Sequence, residues 1–492
     1  MWTSSDLENL VREKLGDYLF VLVSNRQPYV HKYQKGRVIC QRGAGGVVTA
    51  LDPVMRASRG LWIAYGNGDA DRRVTDAAGK IGVPPEKPAY TLKRIWLDKA
   101  EEEGYYNGYS NDTLWPLSHL TFKRPTFRKQ DWEYYKSVNM KFAKAIADEL
   151  GGRKAFVWIQ DYHLCLLPAM LKELCGPQVI TAHFWHIPWP SHEIFRICPD
   201  KKELLEGLLA NDLLGFHIRL HCNNFLEAVD RELESKIDRE RFSVVKGGHE
   251  TLVRPYPISV DFAAISADAA SPAVEETMRS LKEEFRLEGQ KLILGIDRID
   301  YTKGIPERLL ALDMLLDGHP ELKEKITFLQ IGEISRIHVQ KYKDINDEIN
   351  AIVERINWKH STENWTPVVL TRRHVSYEEI LALYRLSSVC MVTSLHDGMN
   401  LVAKEFVSAK IDGTGVLILS NFTGAARELT DALAVNPYDR DQCAGELRKA
   451  LEMPDEEVSR RMHKMRETVG SSNIYHWAAK IISDLLKFDF RE

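Results

Sequence analysis

A chain of 492 residues, 44% hydrophobic and 28% charged, is long enough for two or three domains with substantial cores, and this composition excludes a disordered protein. Sixty-six basic against seventy acidic residues leave a formal charge of −4, so no global basic field argues for nucleic acid and a small ligand is expected. Seven cysteines without a C-x-x-C pair, no apolar run of membrane-spanning length and no leader-like N-terminus point to a reduced, cytoplasmic protein without a membrane partner.

Apolar runs of strand length alternate with amphipathic segments along the whole chain: 18–23, 155–159, 179–185, 292–296, 326–331, 368–370, Val389–Val392 and 416–419. Nearly continuous apolar strands separated by helices predict parallel sheets covered on both faces, and two such sheets fit the length. The first run leads into Ser24-Asn25-Arg26, where an arginine at a strand end can grip a phosphate. The basic segment 32–42 is read as a flap able to close over that phosphate, and the glycines of Gly43-Ala44-Gly45-Gly46 before a helix at 47–55 allow close backbone approach to a ligand. Tyr105-Tyr106-Asn107 and Leu114-Trp115-Pro116 offer aromatic faces that stack on a sugar or, more commonly, fill a core.

The spacing predicts a helix over 130–150, closed by Gly151-Gly152. The strand after it delivers Asp161-Tyr162-His163 to its carboxyl end, where open α/β sheets bind ligands. His183 and His186 have an H-x-x-H spacing, but a continuing strand would point them to opposite faces and a third ligand is missing, so no metal is expected. Past a boundary expected near Asp261, the stretch 266–288 reads as a surface helix or linker.

In the second half, Arg298 to Gly304 follows a strand and precedes Pro306, a first-turn proline. A guanidinium and an ammonium five residues apart across a turn can converge on one diphosphate and stabilise it as a leaving group, although such a pair also suits a solvated basic turn. The stretch Asp397-Gly398-Met399-Asn400-Leu401 to Glu405 joins an apolar strand to a helix, whose free first-turn amides attract a phosphate. Asp397 in the turn and Glu405, expected about two turns into the helix, would accept from sugar and ribose hydroxyls. A buried helix cap with a surface acid is the plainer account of the same residues.

Taken together, Ser24-Asn25-Arg26, Ala44-Gly45-Gly46, Tyr105-Tyr106-Asn107, Leu114-Trp115-Pro116, Trp158 to His163, His186-Ile187-Pro188, Leu213 to Phe216, Arg298 to Gly304, Ser335-Arg336, Trp365-Thr366-Pro367, Asp397 to Glu405 and Val435 to Asp439 resemble, in order, the trehalose-6-phosphate synthase family. The resemblance implies an α/β chain of two Rossmann-like domains facing a cleft, the B-type glycosyltransferase fold. An N-terminal acceptor-binding domain, 1–261, would take back the C-terminal helix 474–492, and 262–473 would bind the nucleotide sugar. It implies retaining transfer of glucose from UDP-glucose, or another nucleoside diphosphate glucose, to glucose 6-phosphate. Gly46, His186, Arg298, Lys303, Asp397, Met399, Asn400, Leu401 and Glu405 would hold the donor. Arg26, Tyr106, Trp115, Asp161 and Arg336 would hold the acceptor, and Arg298, Lys303, Asp161 and His186 would carry catalysis. No metal or other cofactor is implied; a separate phosphatase is expected as partner, and a homo-oligomer is left open.

Departures from the family pattern include Leu395-His396 for Leu-Arg, Pro257-Ile258-Ser259-Val260, Arg355-Ile356-Asn357-Trp358, and Trp62 to Asp71, which opens a longer insertion in the acceptor half. A pocket built for one polyol phosphate rejects others strongly, so transfer to glycerol phosphate or a cyclitol phosphate is the alternative. A non-catalytic sugar-phosphate sensor is the other class, disfavoured because the costly charged groups are all retained.

Overall fold

The computed structural model describes residues 2–15, 18–42, 46–333 and 339–488. It divides into two compact units, residues 1–258 with 474–492, and residues 259–473. The boundary lies three residues before Asp261 because Ser259 and Val260 are already buried and Asp261 caps the first helix of the second unit, Phe262–Ala269, by accepting from the Ala264 amide at 3.1 Å.

The first unit is built on strands β1 (Leu19–Ser24), β2 (Tyr29–Gln34), β3 (Arg37–Arg42), β4 (Leu61–Tyr65), β5 (Lys80–Val83), β6 (Tyr90–Ile95), β7 (Ala155–Gln160), β8 (Val179–Phe184), β9 (Leu213–Phe216), β10 (Lys236–Asp238), β11 (Ser243–Lys246) and β12 (His249–Pro255). Ten of them form one sheet in the order β10-β11-β12-β9-β8-β7-β1-β4-β6-β5, parallel through the middle and antiparallel at β5 and at β10–β11–β12. The central strands β1, β4, β7 and β8 are buried almost end to end, as unbroken apolar runs with helices on both faces require. Strands β2 and β3 pair only with each other, so the basic segment 32–42 belongs to a hairpin.

Helix Lys129–Leu150 buries Trp132, Tyr135, Val138, Phe142 and Ile146 on one face and ends where Gly151 turns left-handed at φ 53°. The helix Ile474–Leu485 packs in this unit: its Trp477 indole donates to the Tyr256 carbonyl at 3.2 Å, and the Tyr256 hydroxyl donates to Asp484 at 2.7 Å. Ile474, Trp477, Ala478, Ile481, Ile482 and Leu485 form its buried stripe, an apolar face that must find a surface.

The second unit carries a six-stranded, all-parallel sheet of β13 (Lys291–Arg298), β14 (Ile326–Glu333), β15 (Val368–Thr371), β16 (Val389–Val392), β17 (Val416–Ser420) and β18 (Leu433–Val435), ordered β15-β14-β13-β16-β17-β18. Right-handed crossovers of strand and helix are the expected way to join such neighbours, and the order reverses beside β13, where ligand-binding loops collect. No helix among the described residues is long and apolar enough to cross a membrane.

Candidate active site

In the first unit, β1 runs out into a backbone fixed on both sides of Arg26. The Ser24 hydroxyl donates to the Arg26 carbonyl at 2.6 Å and accepts from the Trp62 indole at 2.7 Å. Asn25 accepts from the Tyr105 hydroxyl at 3.0 Å, and the Gln27 amide donates to Asp71 at 2.5 Å. Arg26 itself is half-buried between these two anchors. Asp71, from the unusual insertion, is fully buried with Arg94 at 3.1 Å, and it also accepts from the backbone amides of His31 at 2.8 Å and Gly68 at 2.7 Å. This knot ties the loop bearing Arg26 to the base of the β2–β3 hairpin.

Strand β7 ends at Gln160, and Asp161 follows in a left-handed conformation, φ 70°, rare for a residue with a side chain. Its amide donates to Phe184 O at 2.7 Å, and its Oδ1 accepts from the amides of Tyr162 at 3.0 Å and His186 at 3.2 Å. The strain is thus held by three bonds that aim a half-buried carboxylate off the sheet end. Next to it, the His163 ring stacks between Tyr162, 4.1 Å between centroids, and Tyr106, 5.8 Å. Tyr105 and Trp115 are buried, Trp115 against His119 and Tyr162, so these aromatics build the wall that Tyr106 reaches from.

The strand expected to run on through His186 stops at Phe184, and His186 lies in the loop beyond. His183 meets the Asp161 carbonyl at 2.9 Å through Nε2, and His186 meets Gln160 Oε1 at 2.8 Å, so the two imidazoles face different partners. Burial pulls His183 down to about 4 and His186 well below the ordinary imidazole value, neighbouring His217, His183 and His163 adding to the effect on His186. Both rings are neutral at pH 7.

In the second unit, Arg298 closes β13, the turn 299–304 follows, and Pro306 sits in the first turn of helix Ile305–Gly318. Gly304 is required twice over: its φ is 64°, and a Cβ there would strike the Thr393 carbonyl oxygen. That approach brings Lys303 to Asp397, Nζ to Oδ2 at 2.6 Å. Asp397 Oδ2 also accepts from the Asn400 side-chain amide at 3.2 Å and the Ser394 hydroxyl at 3.3 Å.

The loop bearing Asp397 and Met399 is pinned against the next strand's exit by Asp397 N to Phe422 O at 3.0 Å and Ala425 N to Met399 O at 2.9 Å. Asn400 turns left-handed, φ 73°, and the helix begins only at Leu401. The Asn400 side chain donates through its nitrogen to Asp397 and Ser394, and its oxygen makes no bond to the first turn, so this N-cap residue leaves the helix amides uncapped among the described residues and able to receive an anion. The late start also corrects the position of Glu405. It stands just past one turn into helix Leu401–Ala409, not two, where it accepts from the Tyr384 hydroxyl at 3.0 Å. Burial raises its carboxyl above the ordinary glutamate value against the pull of that hydrogen bond. Burial lowers His396 below the ordinary imidazole value, Asp397 opposing, so the residue in place of the family's arginine adds no full charge at pH 7.

Arg336 and residues 43–45 lie outside the described residues; Gly46 opens the helix Gly46–Ser58. Several supports were not anticipated: Gln160, Ser394, Tyr384, the Asp71–Arg94 pair and a buried Asp297–Arg308 pair. Arg308 donates to Thr393 Oγ1 at 2.9 Å and to the Lys303 carbonyl at 3.4 Å, holding the Lys303 turn from beneath. A sequence signal existed for it, since Arg308 falls on the apolar stripe of Ile305, Leu309, Leu312 and Leu316. Among the described residues, Asp313, Asp317 and His360 have the donor types of a metal site, but Lys359 Nζ stands 3.1 Å and 2.5 Å from the two carboxylates and already supplies their countercharge.

The model of Glycosyltransferase family 20 matches residues 19–487. The chain is 32% identical over 489 residues to the alpha,alpha-trehalose-phosphate synthase (UDP-forming) of Schizosaccharomyces pombe, covering 98% of this chain and 94% of that one. A solved E. coli trehalose-6-phosphate structure bound with UDP-2-fluoro glucose is similar at TM-score 0.85 and 34% identity, covering 96% of this chain and 100% of that one. The alpha,alpha-trehalose-phosphate synthase (UDP-forming) from Burkholderia xenovorans in complex with glucose-6-phosphate is similar at TM-score 0.84 and 31% identity, covering 95% and 99%. Its two α/β units are those of the B-type glycosyltransferase fold, and the chain belongs to glycosyltransferase family 20, as a glycosyltransferase of the trehalose-6-phosphate synthase family.

Proposed function

We propose that this protein transfers glucose from UDP-glucose to glucose 6-phosphate, with retention, to give trehalose 6-phosphate. The observation that carries the reading is the 2.6 Å contact of Lys303 with Asp397 beside the uncapped first turn of helix Leu401–Ala409. A diphosphate and a sugar hydroxyl are joined covalently in the donor, and a cation and a carboxylate this close can serve the two at once. Arg298, Lys303 and the helix amides then take the charge that develops on the departing diphosphate, which is the stabilisation the reaction most needs. Glu405 uses one oxygen on Tyr384 and keeps the other for a ribose hydroxyl.

On the acceptor side, Arg26 takes the phosphate of glucose 6-phosphate, Arg336 is also assigned to the acceptor, and Asp161, Tyr106 and Trp115 position the sugar. Its anomeric hydroxyl attacks the donor carbon from the face the diphosphate leaves. The hydroxyl proton passes to the leaving phosphate oxygen, so no side-chain base and no metal enter the reading. Removal of the product's phosphate is assigned to a separate phosphatase, and both reactions to the cytoplasm.

The test is UDP release by purified protein, with and without glucose 6-phosphate, followed by panels of acceptors and of UDP-, GDP- and ADP-glucose. Stimulation by glucose 6-phosphate and formation of a non-reducing disaccharide phosphate are expected. Release no faster than without acceptor overturns the assignment, and stimulation only by glycerol phosphate or a cyclitol phosphate moves it to the alternative acceptor.

A further inference from the structure

Strand β7 reads Ala155-Phe156-Val157-Trp158-Ile159-Gln160, and its one polar side chain is as buried as the rest, Gln160 being 1% exposed. A primary amide in such surroundings is costly unless bonded. Its oxygen meets His186 Nε2 at 2.8 Å, and its nitrogen has no protein partner among the described residues.

The rest of His186 is held as well. Its amide donates to Asp161 Oδ1 at 3.2 Å, and its carbonyl meets His217 Nε2 at 3.0 Å. Phe184 packs edge-on at 4.6 Å between centroids, and Trp477 of the C-terminal helix lies at 6.5 Å. Two neighbouring rings have unambiguous tautomers, because His183 and His217 each point Nε2 at a carbonyl oxygen, which only accepts. Both therefore carry the Nε2 proton. A side-chain amide can turn either of two ways, so His186 is the one ring of the three whose proton is set by another side chain.

We propose that Gln160 is a positioning residue that holds His186 as the Nε2–H tautomer, so that Nδ1 is the lone pair this ring offers to a hydroxyl of the donor sugar. The proposal rests on the assignment of His186 to the donor glucose made above. With its oxygen on Nε2, Gln160 selects the protonated nitrogen, and the sugar hydroxyl becomes the donor in its contact with the protein. A cation at His186 would lose that lone pair. The groups that bear on its charge are Asp161, whose carboxylate bonds the His186 amide, and the imidazoles of His163, His183 and His217, with Phe184 and Trp477 covering the ring.

The experiment is ¹⁵N NMR of histidine-labelled full-length protein, the His186 signals assigned by their loss in His186→Gln, together with pH profiles of wild type, Gln160→Glu and Gln160→Leu. Wild type is expected to show a neutral Nε2–H ring at pH 7. Gln160→Glu keeps an acceptor on Nε2 but favours the imidazolium, so its kcat/KM for UDP-glucose should gain an acid limb absent from wild type. Gln160→Leu should lose about ten- to a hundredfold in kcat/KM for UDP-glucose, by analogy with removing the partner that orients a ligating histidine, at unchanged KM for the phosphorylated acceptor. An Nδ1–H ring in wild type, or a Gln160→Glu profile that superimposes on wild type, overturns the proposal. The NMR result needs no turnover: an Nε2–H ring in a protein that fails to transfer glucose would leave the lock standing and overturn the assignment of His186 to a donor sugar. Should Gln160→Leu not fold, the spectrum and Gln160→Glu decide alone.

Discussion

Each unit buries a carboxylate–arginine pair beneath the loop that carries its leading cation, and the two pairs are built differently. Under Arg26, Asp71 lies 3.1 Å from Arg94 and receives hydrogen bonds from Gln27 and the amides of His31 and Gly68. Under Lys303, Asp297 lies 2.9 Å from Arg308, yet its Oδ2 has no aligned hydrogen-bond partner among the described residues. Burial works to raise both carboxyls. For Asp71 the bonds from His31 and Gln27 and the charge of Arg94 outweigh it and hold the group below the ordinary aspartate value. For Asp297 burial wins, and the group is raised despite Arg308 and Lys303. The difference is one of number: Asp71 has bonds from His31 and Gln27 besides its arginine, whereas for Asp297 Arg308 and Lys303 together do not outweigh burial.

The largest effect is expected from breaking the barely bonded pair. Arg308→Met leaves Asp297 in the core with only the weaker pull of Lys303, and urea unfolding should report a loss of about 5 kcal/mol, the upper end for one partner of a buried pair removed. Arg94→Met leaves Asp71 its three donors, so its loss should fall near the lower end, about 3 kcal/mol. Equal losses would mean that the donors around Asp71 contribute nothing.

The cations above these pairs divide the chemistry. Arg298→Ala should lower kcat by ~10²–10³, the cost of deleting one preorganised donor to a developing charge, as steady-state turnover with saturating substrates would reveal. Arg26→Ala should act mainly on the KM of the phosphorylated acceptor, about tenfold upward, as loss of one charge-assisted hydrogen bond does, with the donor constant nearly unchanged.

Acid should separate the two pairs by sign, though more weakly. Asp71, depressed in the folded state, contributes stability that is present above its unfolded value of ~3.9 and is lost as pH falls through its lower folded value. Asp297, raised, binds its proton more tightly when folded, so the folded state gains stability as pH falls through the raised value towards ~3.9. Against wild type, the penalty of Asp71→Asn in thermal melts should therefore hold steady from pH 7 to 4.5. The difference between Asp297→Asn and wild type should move over that same range, in the direction that favours wild type in acid.

Much of this was legible in the sequence wherever a local period carried it. The apolar runs at 155–159, 292–296 and 326–331 became β7, β13 and β14, and the turn after β7 delivered Asp161 to a sheet end. The tail helix was visible as an apolar stripe in need of a surface. What escaped was set by partners far away in sequence. The antiparallel strands β5, β10 and β11 and the β2–β3 hairpin follow no strong alternation of their own. The bonds of Tyr384 to Glu405 and Gln160 to His186 cross 21 and 26 residues. Glu405 was misplaced by most of a turn because the left-handed Asn400 postpones the helix, a backbone event that side-chain periodicity does not announce.

The helix Ile474–Leu485 completes the first unit from the far end of the chain, whereas residues 259–473 form the second without interruption. During synthesis the second unit can therefore mature while the first still lacks the segment that brings Trp477 to within 5.1 Å of Trp158. Until that segment leaves the ribosome, the apolar surface it will cover stays open to water and to chaperones, so the earlier-made half of the protein is the later one to finish folding.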